Sequence, residues 1–269
     1  MARAAEASGL DSVWVGDHLL YRDPPRGPLE TWTVLAALAA VTSRVELGPL
    51  VACLGFHNPA MLAKKAATLD EVSGGRLVLG IGAGWNRDEF DAFGFPFDHR
   101  VDRFAEAFTI IRRLLDGEEV TFEGSYHSVR DCVLLPRPVR RPPLMVGSRR
   151  PRMLSIALPH VDIQHAWFSS FGNRPEGISV LRQRVDESCR SVRRDPTTVE
   201  RSVALYVQLP EGRGRIEGTG AVRPVALDEL PATLAAVSRE GVVHVQLVID
   251  PIATSSIERV GAKVVTAAI

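Results

Sequence analysis

Leu69 to Gly94 reads LDEVSGGRLVLGIGAGWNRDEFDAFG, and its order of helix end, buried strand, glycine turn and paired acids fixes the kind of fold. Gly74 and Gly75 close the preceding helix, because glycine tolerates the left-handed backbone that ends helices. Leu77, Val78, Leu79 and Ile81 then form a short apolar run, interrupted by Gly80, that suits a strand buried on both faces of a parallel sheet. Gly82 and Gly84 fall at the strand's end, where bare backbone can approach a flat or phosphorylated ligand. For an isolated Gly-x-Gly a plain tight turn is the better reading, since no six-residue dinucleotide fingerprint is completed.

Working outward, apolar segments alternate with amphipathic helices along nearly the whole chain, the pattern of successive β-α units around a parallel sheet. Helices are expected at Ala2–Ser8, Thr31–Thr42, from Asn58 (N-cap) and Pro59 to about Val72, and at His99–Leu115. In the last of these, Val101, Phe104, Phe108, Ile111 and Leu115 recur at spacings of three and four. Later helices are expected near Ile178–Val192, Leu227–Arg239 and after Ser255. Strands are expected at Ser12–Gly16, Val45–Val51, from Leu77, and at Leu144–Gly147, Val161–Ala166, Val203–Leu209 and Val243–Ile249. Residues 118–135 break the rhythm and read as an inserted β-hairpin around Glu123-Gly124. The 269 residues fit one domain, 1–269, an α/β (β/α)8 TIM barrel. Seven core strands are found where eight are needed, and the chain opens on a helix. The expectation is therefore a barrel lacking its first strand, through a start codon recorded too far downstream or an imperfectly closed sheet.

Composition excludes several classes. A formal charge of zero and a pI near 7.1 give no reason to invoke nucleic acid or an anionic membrane. Cys53, Cys132 and Cys189 are odd in number, widely spaced and without a metal-ligand pattern, which fits reduced thiols and no metal. No signal peptide or membrane-length apolar run is read, so the expected compartment is the cytoplasm.

Four passages carry a resemblance: SVWVGDHLL (Ser12–Leu20); RVELGPLV with HNPAMLAKKAATLDEVSGGRLVLGIGAGW (Arg44–Trp85); EFDAFGFPFDHRVDRFAEAFTIIRRL (Glu89–Leu114); and GVVHVQLVID (Gly241–Asp250). Through them the chain resembles the luciferase-like monooxygenase family, barrels of the bacterial-luciferase type that use flavin or deazaflavin. The resemblance implies an eight-stranded barrel and two-electron chemistry on a ring bound at the C-terminal mouth of the strands. Asp17-His18 is similar to the dipeptide of the deazaflavin (F420) branch. This makes His18 the first catalytic candidate, relaying a proton during hydride transfer, with Asp17 orienting its imidazole. The alternative is that Asp17 caps a loop while His18 is a packed or solvent-facing side chain.

The third barrel strand is similar to one with a non-prolyl cis peptide in deazaflavin enzymes. By position the bond is Leu50–Val51, a bulge that props the ring, with Cys53 near the ring's polar edge or simply an inert buried thiol. Glu89 resembles the family's acid after the glycine turn, and it or Asp88 would act as proton partner across the substrate from His18. Both acids also suit the N-terminus of a short helix near Arg87. Trp85 and Trp14 could flank a planar ring or fill the core. The resemblance further implies a phosphate grip after the fifth strand. Here that turn is Gly147-Ser148-Arg149-Arg150-Pro151-Arg152, whose guanidiniums would clamp a phosphate or glutamate tail, or form a solvated loop. The later loop Gly212–Pro224 lacks a compact grip and reads as mobile.

The function so implied is F420-dependent hydride exchange with a small organic substrate. The alternatives are an FMN-dependent monooxygenase of the same family and a non-catalytic or truncated flavin-binding barrel. The resemblance also implies a homodimer, for which the sequence carries no deciding signature.

Overall fold

The computed structural model describes residues 1–22, 25–214 and 222–267. The Gly212–Pro224 loop therefore lies partly outside the described residues, at 215–221. The chain divides into two units, Trp14–Val146 and Met1–Val13 with Gly147–Ile269, each with its own core.

The chain opens with α1 (Ala2–Ala7) and β1 (Ser12–Val15), then a small antiparallel pair, β2 (Tyr21–Arg22) and β3 (Pro25–Arg26), that the sequence pattern did not reveal. After α2 (Thr31–Val41) comes β4 (Glu46–Pro49), and the expected strand Val45–Val51 is broken there: the Leu50–Val51 peptide is cis, and pairing resumes in β5 (Ala52–Cys53). Next are α3 (Pro59–Ser73), β6 (Leu79–Gly82), α4 (Arg87–Phe93) and α5 (Arg100–Leu115). The antiparallel hairpin of β7 (Val120–Glu123) and β8 (Ser128–Cys132) follows, then β9 (Leu144–Gly147). Within this unit β4 pairs with β1, Leu47 bridges Leu77, and β5, β6 and β9 lie parallel in that order.

The deciding stretch folds as it does because its polar residues tie neighbouring elements together. Asn58 Oδ1 accepts from Met61 N at 3.0 Å to open α3, and Gly74 ends it at φ 69°. Arg76 then spends its fork on the far end of α2: Nη1 donates to Thr42 Oγ1 and Val45 O, and Nη2 to Ala39 O and Thr42 O, all within 3.0 Å. Ala39 O and Thr42 O are carbonyls a helix end leaves without partners, and the same guanidinium also holds the Thr42 hydroxyl and the Val45 carbonyl. Asp70, buried, accepts from Leu77 N at 3.1 Å and from Arg140 at 2.6 Å. The helical face expected on α5 is present, with Phe104, Phe108, Ile111 and Leu115 buried and α5 packed on α3. Each such side chain contributes roughly 1.5–3 kcal/mol by leaving water.

The other unit adds α6 (Pro151–Ala157), β10 (Ile163–Ala166), α7 (Glu176–Ser191), β11 (Glu200–Gln208), β12 (Val225–Ala226), α8 (Leu230–Arg239), β13 (His244–Asp250) and α9 (Thr254–Ala267). Here β11 runs parallel to β10, β12 and β13. Val207, Leu209, Val225, Leu230 and Val260 form one buried cluster, with Leu247 and Ile249 against it. His165, Ser202 and His244 stand in one row across the strands. His165 Nδ1 lies 3.2 Å from Ser202 Oγ, which donates to Gln246 Oε1 at 2.8 Å. Among the described residues no helix is long and apolar enough to cross a membrane, and no group of three potential metal ligands occurs.

Candidate active site

The site is built in the Trp14–Val146 unit, where β1 runs out at Gly16. Thr31 Oγ1, at the start of α2, donates to Gly16 O at 2.8 Å and anchors the turn into Asp17-His18. The side chains of that dipeptide then diverge. Asp17, 5% exposed, turns to the strand beyond the cis peptide: its Oδ2 accepts from Cys53 N and from His57 Nε2, both at 2.9 Å. The expectation that Asp17 orients the His18 imidazole is thereby corrected, because its acceptor oxygen is taken up by β5 and by His57.

Glu89 orients His18 instead. His18 Nδ1 lies 3.1 Å from each Glu89 oxygen, and Leu19 N donates to Oε1 at 2.6 Å, with Leu20 N at 3.4 Å. Glu89 belongs to the first turn of α4 and is 1% exposed, whereas His18 keeps a quarter of its side chain open. Burial pushes the Glu89 carboxyl up, but hydrogen bonds from His18, Leu19 N and Leu20 N outweigh it and hold the group below its ordinary 4.5. A carboxylate only accepts, so Nδ1 carries the proton of this bond, and a neutral ring held this way has its lone pair at Nε2. Glu89 is therefore not across a substrate from His18; it is bonded to it. Asp88 faces solvent 3.9 Å from Arg22 and takes no part.

Behind the pair, the cis Leu50–Val51 peptide brings the Leu50 carbonyl near Gly16. A side chain at Gly16 would meet first the His18 Cδ2 at 3.6 Å and then Leu50 O at 4.0 Å, both ordinary van der Waals contacts. Gly82 pairs with Cys53 across β6 and β5. Gly84 has a different explanation from the one expected. At φ 78° its missing side chain makes room for Cys53 Sγ and for Phe90, whose ring would stand 2.8 Å from a Cβ. That glycine is needed for packing. Burial, reinforced by the charge on Asp17, pushes the Cys53 thiol up, so it stays protonated and unreactive. Phe56, Phe90, Phe95 and Phe97 pack under α4, and Arg100 lies 3.9 Å over Phe97 while donating to Gly84 O at 2.8 Å.

The two tryptophans part company. Trp14 fills the space over Gly48, a core role. Trp85 is 63% exposed and sits edge-on to His18 at 5.8 Å, with Tyr21 on the same imidazole at 5.1 Å. In the other unit, Ser148 Oγ accepts from Arg150 N at 3.2 Å and Ser148 O from Gln164 at 3.1 Å, ahead of α6. Arg149 and Arg150 are exposed and line an open groove with Arg184 and Glu187. Sequence reasoning missed His57. Its only signal was a histidine beside the Asn58 cap, and nothing in the chain announces a contact with Asp17 forty residues away.

The luciferase-like monooxygenase family model matches residues 1–217. Among curated proteins, the phthiodiolone/phenolphthiodiolone dimycocerosates ketoreductase of Mycobacterium sp. (strain JLS) is 33% identical over 226 residues, 76% of this chain and 58% of that protein. That of Mycobacterium bovis (strain BCG / Pasteur 1173P2) is 31% identical over 264 residues, 90% of this chain and 68% of the relative. The F420-dependent glucose-6-phosphate dehydrogenase of Kineococcus radiotolerans is 38% identical over 158 residues, 57% of this chain and 47% of that protein. The chain thus spans about half to two thirds of the length of these relatives. Among solved structures, an F420-dependent secondary alcohol dehydrogenase in complex with an F420-acetone adduct superposes with a TM-score of 0.84 at 21% identity, covering 100% of this chain and 93% of that one. The likeness shows the fold, the luciferase-like α/β barrel type expected from the sequence.

Proposed function

The chain belongs to the luciferase-like monooxygenase family, and on that premise we propose that it is an F420-dependent oxidoreductase exchanging hydride with a small organic alcohol or carbonyl compound. The observation that carries this reading is the His18–Glu89 pair set beside Gly16 and the cis Leu50–Val51 peptide. Gly16 is exposed, and the side chain it lacks leaves bare backbone beside His18 and Leu50 O that a planar ring could approach, so these residues would fit the cofactor. Leu50, Val51, Cys53 and Gly82 would back such a ring. Gly147, the Ser148 hydroxyl and the Arg149 guanidinium are proposed as contacts for a phosphate.

When bound, F420 supplies two-electron hydride chemistry. The chain's own part is the proton. As the carbinol C–H hydride leaves an alcohol, its hydroxyl proton passes to His18 Nε2 and the C–O bond becomes a carbonyl. In the reverse direction the imidazolium returns that proton to the carbonyl oxygen. Glu89 keeps the accepting tautomer in place and offsets the positive charge that forms on the ring. A proton device of this kind is worth about 10²- to 10⁴-fold in rate. Asp17 and His57 hold the Cys53 end of the strand.

Fluorescence titration of the purified protein with F420 and with FMN tests the cofactor. Quenching by F420 is expected, and binding of FMN alone would replace this reading with a flavin monooxygenase. We further propose that the protein acts in the cytoplasm as a homodimer; a monomeric mass by light scattering would remove the second point.

A further inference from the structure

Resting on the F420 reading above, we infer that His57 is a positioning residue for the cofactor: through Asp17 it fixes the backbone of Cys53, one of the residues proposed to back the ring. The dipeptide Asp17-His18 divides two tasks between two carboxylates. Glu89 holds the His18 imidazole at 3.1 Å, whereas the Asp17 side chain points the other way, its Oδ2 accepting from Cys53 N and from His57 Nε2, each at 2.9 Å. A carboxylate only accepts, so His57 carries a proton on Nε2 in this bond. Asp17 is 5% exposed, and a carboxylate buried that deeply depends on its donors. Removing the His57 N–H leaves Oδ2 short of one and loosens its hold on the Cys53 amide.

His57 is itself firmly placed. It stands directly before Asn58, whose side chain caps α3 by accepting from Met61 N, so its backbone follows the first turn of that helix. Its ring lies edge-to-face with Trp32 of α2 at 6.3 Å and with Phe56 at 6.5 Å, and its side chain is 11% exposed. The pair therefore transmits the position of α2 and α3 to the turn at Asp17 and to Cys53, where β5 meets Gly82 of β6. A site is accurate when its supports stand on rigid elements. A backing surface without such support has to be ordered by the ligand that binds it, and binding weakens by that amount.

The test measures the F420 dissociation constant by fluorescence quenching. His57→Leu keeps bulk without a donor, and it should weaken F420 binding about tenfold to a hundredfold, the equivalent of one charge-assisted hydrogen bond. His57→Gln, whose amide can donate to the same oxygen, should stay within about threefold of the unaltered protein. Because His57 acts through Asp17, adding His57→Leu to Asp17→Ala should weaken binding by less than about twofold further. A purely structural role would lower the urea midpoint of His57→Leu and leave F420 affinity as it was. That result, a His57→Gln variant as weak as His57→Leu, or a full effect of His57→Leu on top of Asp17→Ala would overturn the inference.

A second readout needs no cofactor. Amide hydrogen exchange at Cys53 should quicken at least about tenfold in His57→Leu and recover in His57→Gln. Unchanged exchange in His57→Leu would overturn the inference. Faster exchange there, in a protein that binds no F420 even unaltered, would instead overturn the cofactor reading and leave the hold of His57 on Cys53 standing.

Discussion

Replacing Glu89 by glutamine tests the centre of the proposed chemistry at almost constant volume. Three donors converge on the carboxylate: Leu19 N at 2.6 Å, His18 Nδ1 at 3.1 Å and the more distant Leu20 N at 3.4 Å. Leu19 N and His18 Nδ1 both reach Oε1, so a glutamine oxygen there still accepts from both, but its NH₂ replaces the second oxygen beside Nδ1 and no negative charge is left to offset an imidazolium. The ring is then a weaker proton acceptor. The expected loss in kcat/KM is about 10²- to 10⁴-fold, the range of a weakened general base. Stability changes too. A hydrogen bond to a charged group is worth about 1.5–3 kcal/mol against about 0.5–1.5 for a neutral one, so the two short bonds together predict a loss of about 1–3 kcal/mol at pH 7. The pH dependence has a definite sign. Glu89 titrates below its ordinary 4.5 in the folded chain, so its contribution is complete above 4.5 and drains away as pH falls through the lowered value. The variant should lack that acid-sensitive component. Urea unfolding at pH 7 and in steps below 4.5, together with steady-state kinetics, measures all three effects. Activity within about threefold of the unaltered protein would refute the proton role assigned to the pair, which requires the loss of a general base. Unchanged stability would refute the hydrogen bonding itself.

Other consequences can be checked separately. Gly84→Ala should destabilise by about 2–4 kcal/mol in urea unfolding, because a Cβ there meets Cys53 Sγ and Phe90 on a backbone with φ 78°. Arg76→Lys should cost about 2–3 kcal/mol by the same assay, since one ammonium cannot replace a fork that reaches Ala39, Thr42, Val45 and Ser73. His165, whose pKa burial and then the neighbouring His244 push down to about 3, stays neutral in the folded chain while the unfolded chain protonates near 6.5. Stability should therefore be nearly intact above about pH 7 and fall by about 2 kcal/mol from there to about pH 5, a slope that His165→Gln removes.

Features governed by local chemistry were readable in the sequence. The Asn58-Pro59 start, the Gly74 stop and the three-four spacing of Phe104, Phe108 and Ile111 each act within one or two turns, so α3 and α5 emerged with nearly correct bounds. The resemblance carried His18, Glu89 and the Leu50–Val51 bond, which is cis in the structure. What it did not carry was the wiring between them. Asp17 and Glu89 are both acids within reach of a histidine, and only the tertiary arrangement decides that Glu89 takes His18 while Asp17 takes His57. In sequence Gly84 is open to a ligand or to a plain turn, because a glycine records only that something is close; here that something is Cys53 and Phe90. The two-residue strands β2, β3 and β12 are too short to leave a periodic signal, and the arginine- and proline-rich approach to α6 hides a seven-residue helix.

The proposed chemistry requires His18 to exchange a proton with a substrate while hydride moves to F420. Stopped-flow absorbance of F420 mixed with protein and a saturating secondary alcohol, compared between the unaltered chain and His18→Asn, addresses this directly. The predicted result is rapid cofactor reduction that slows at least about a hundredfold in the variant while F420 still binds. Equal rates in the two proteins would contradict it.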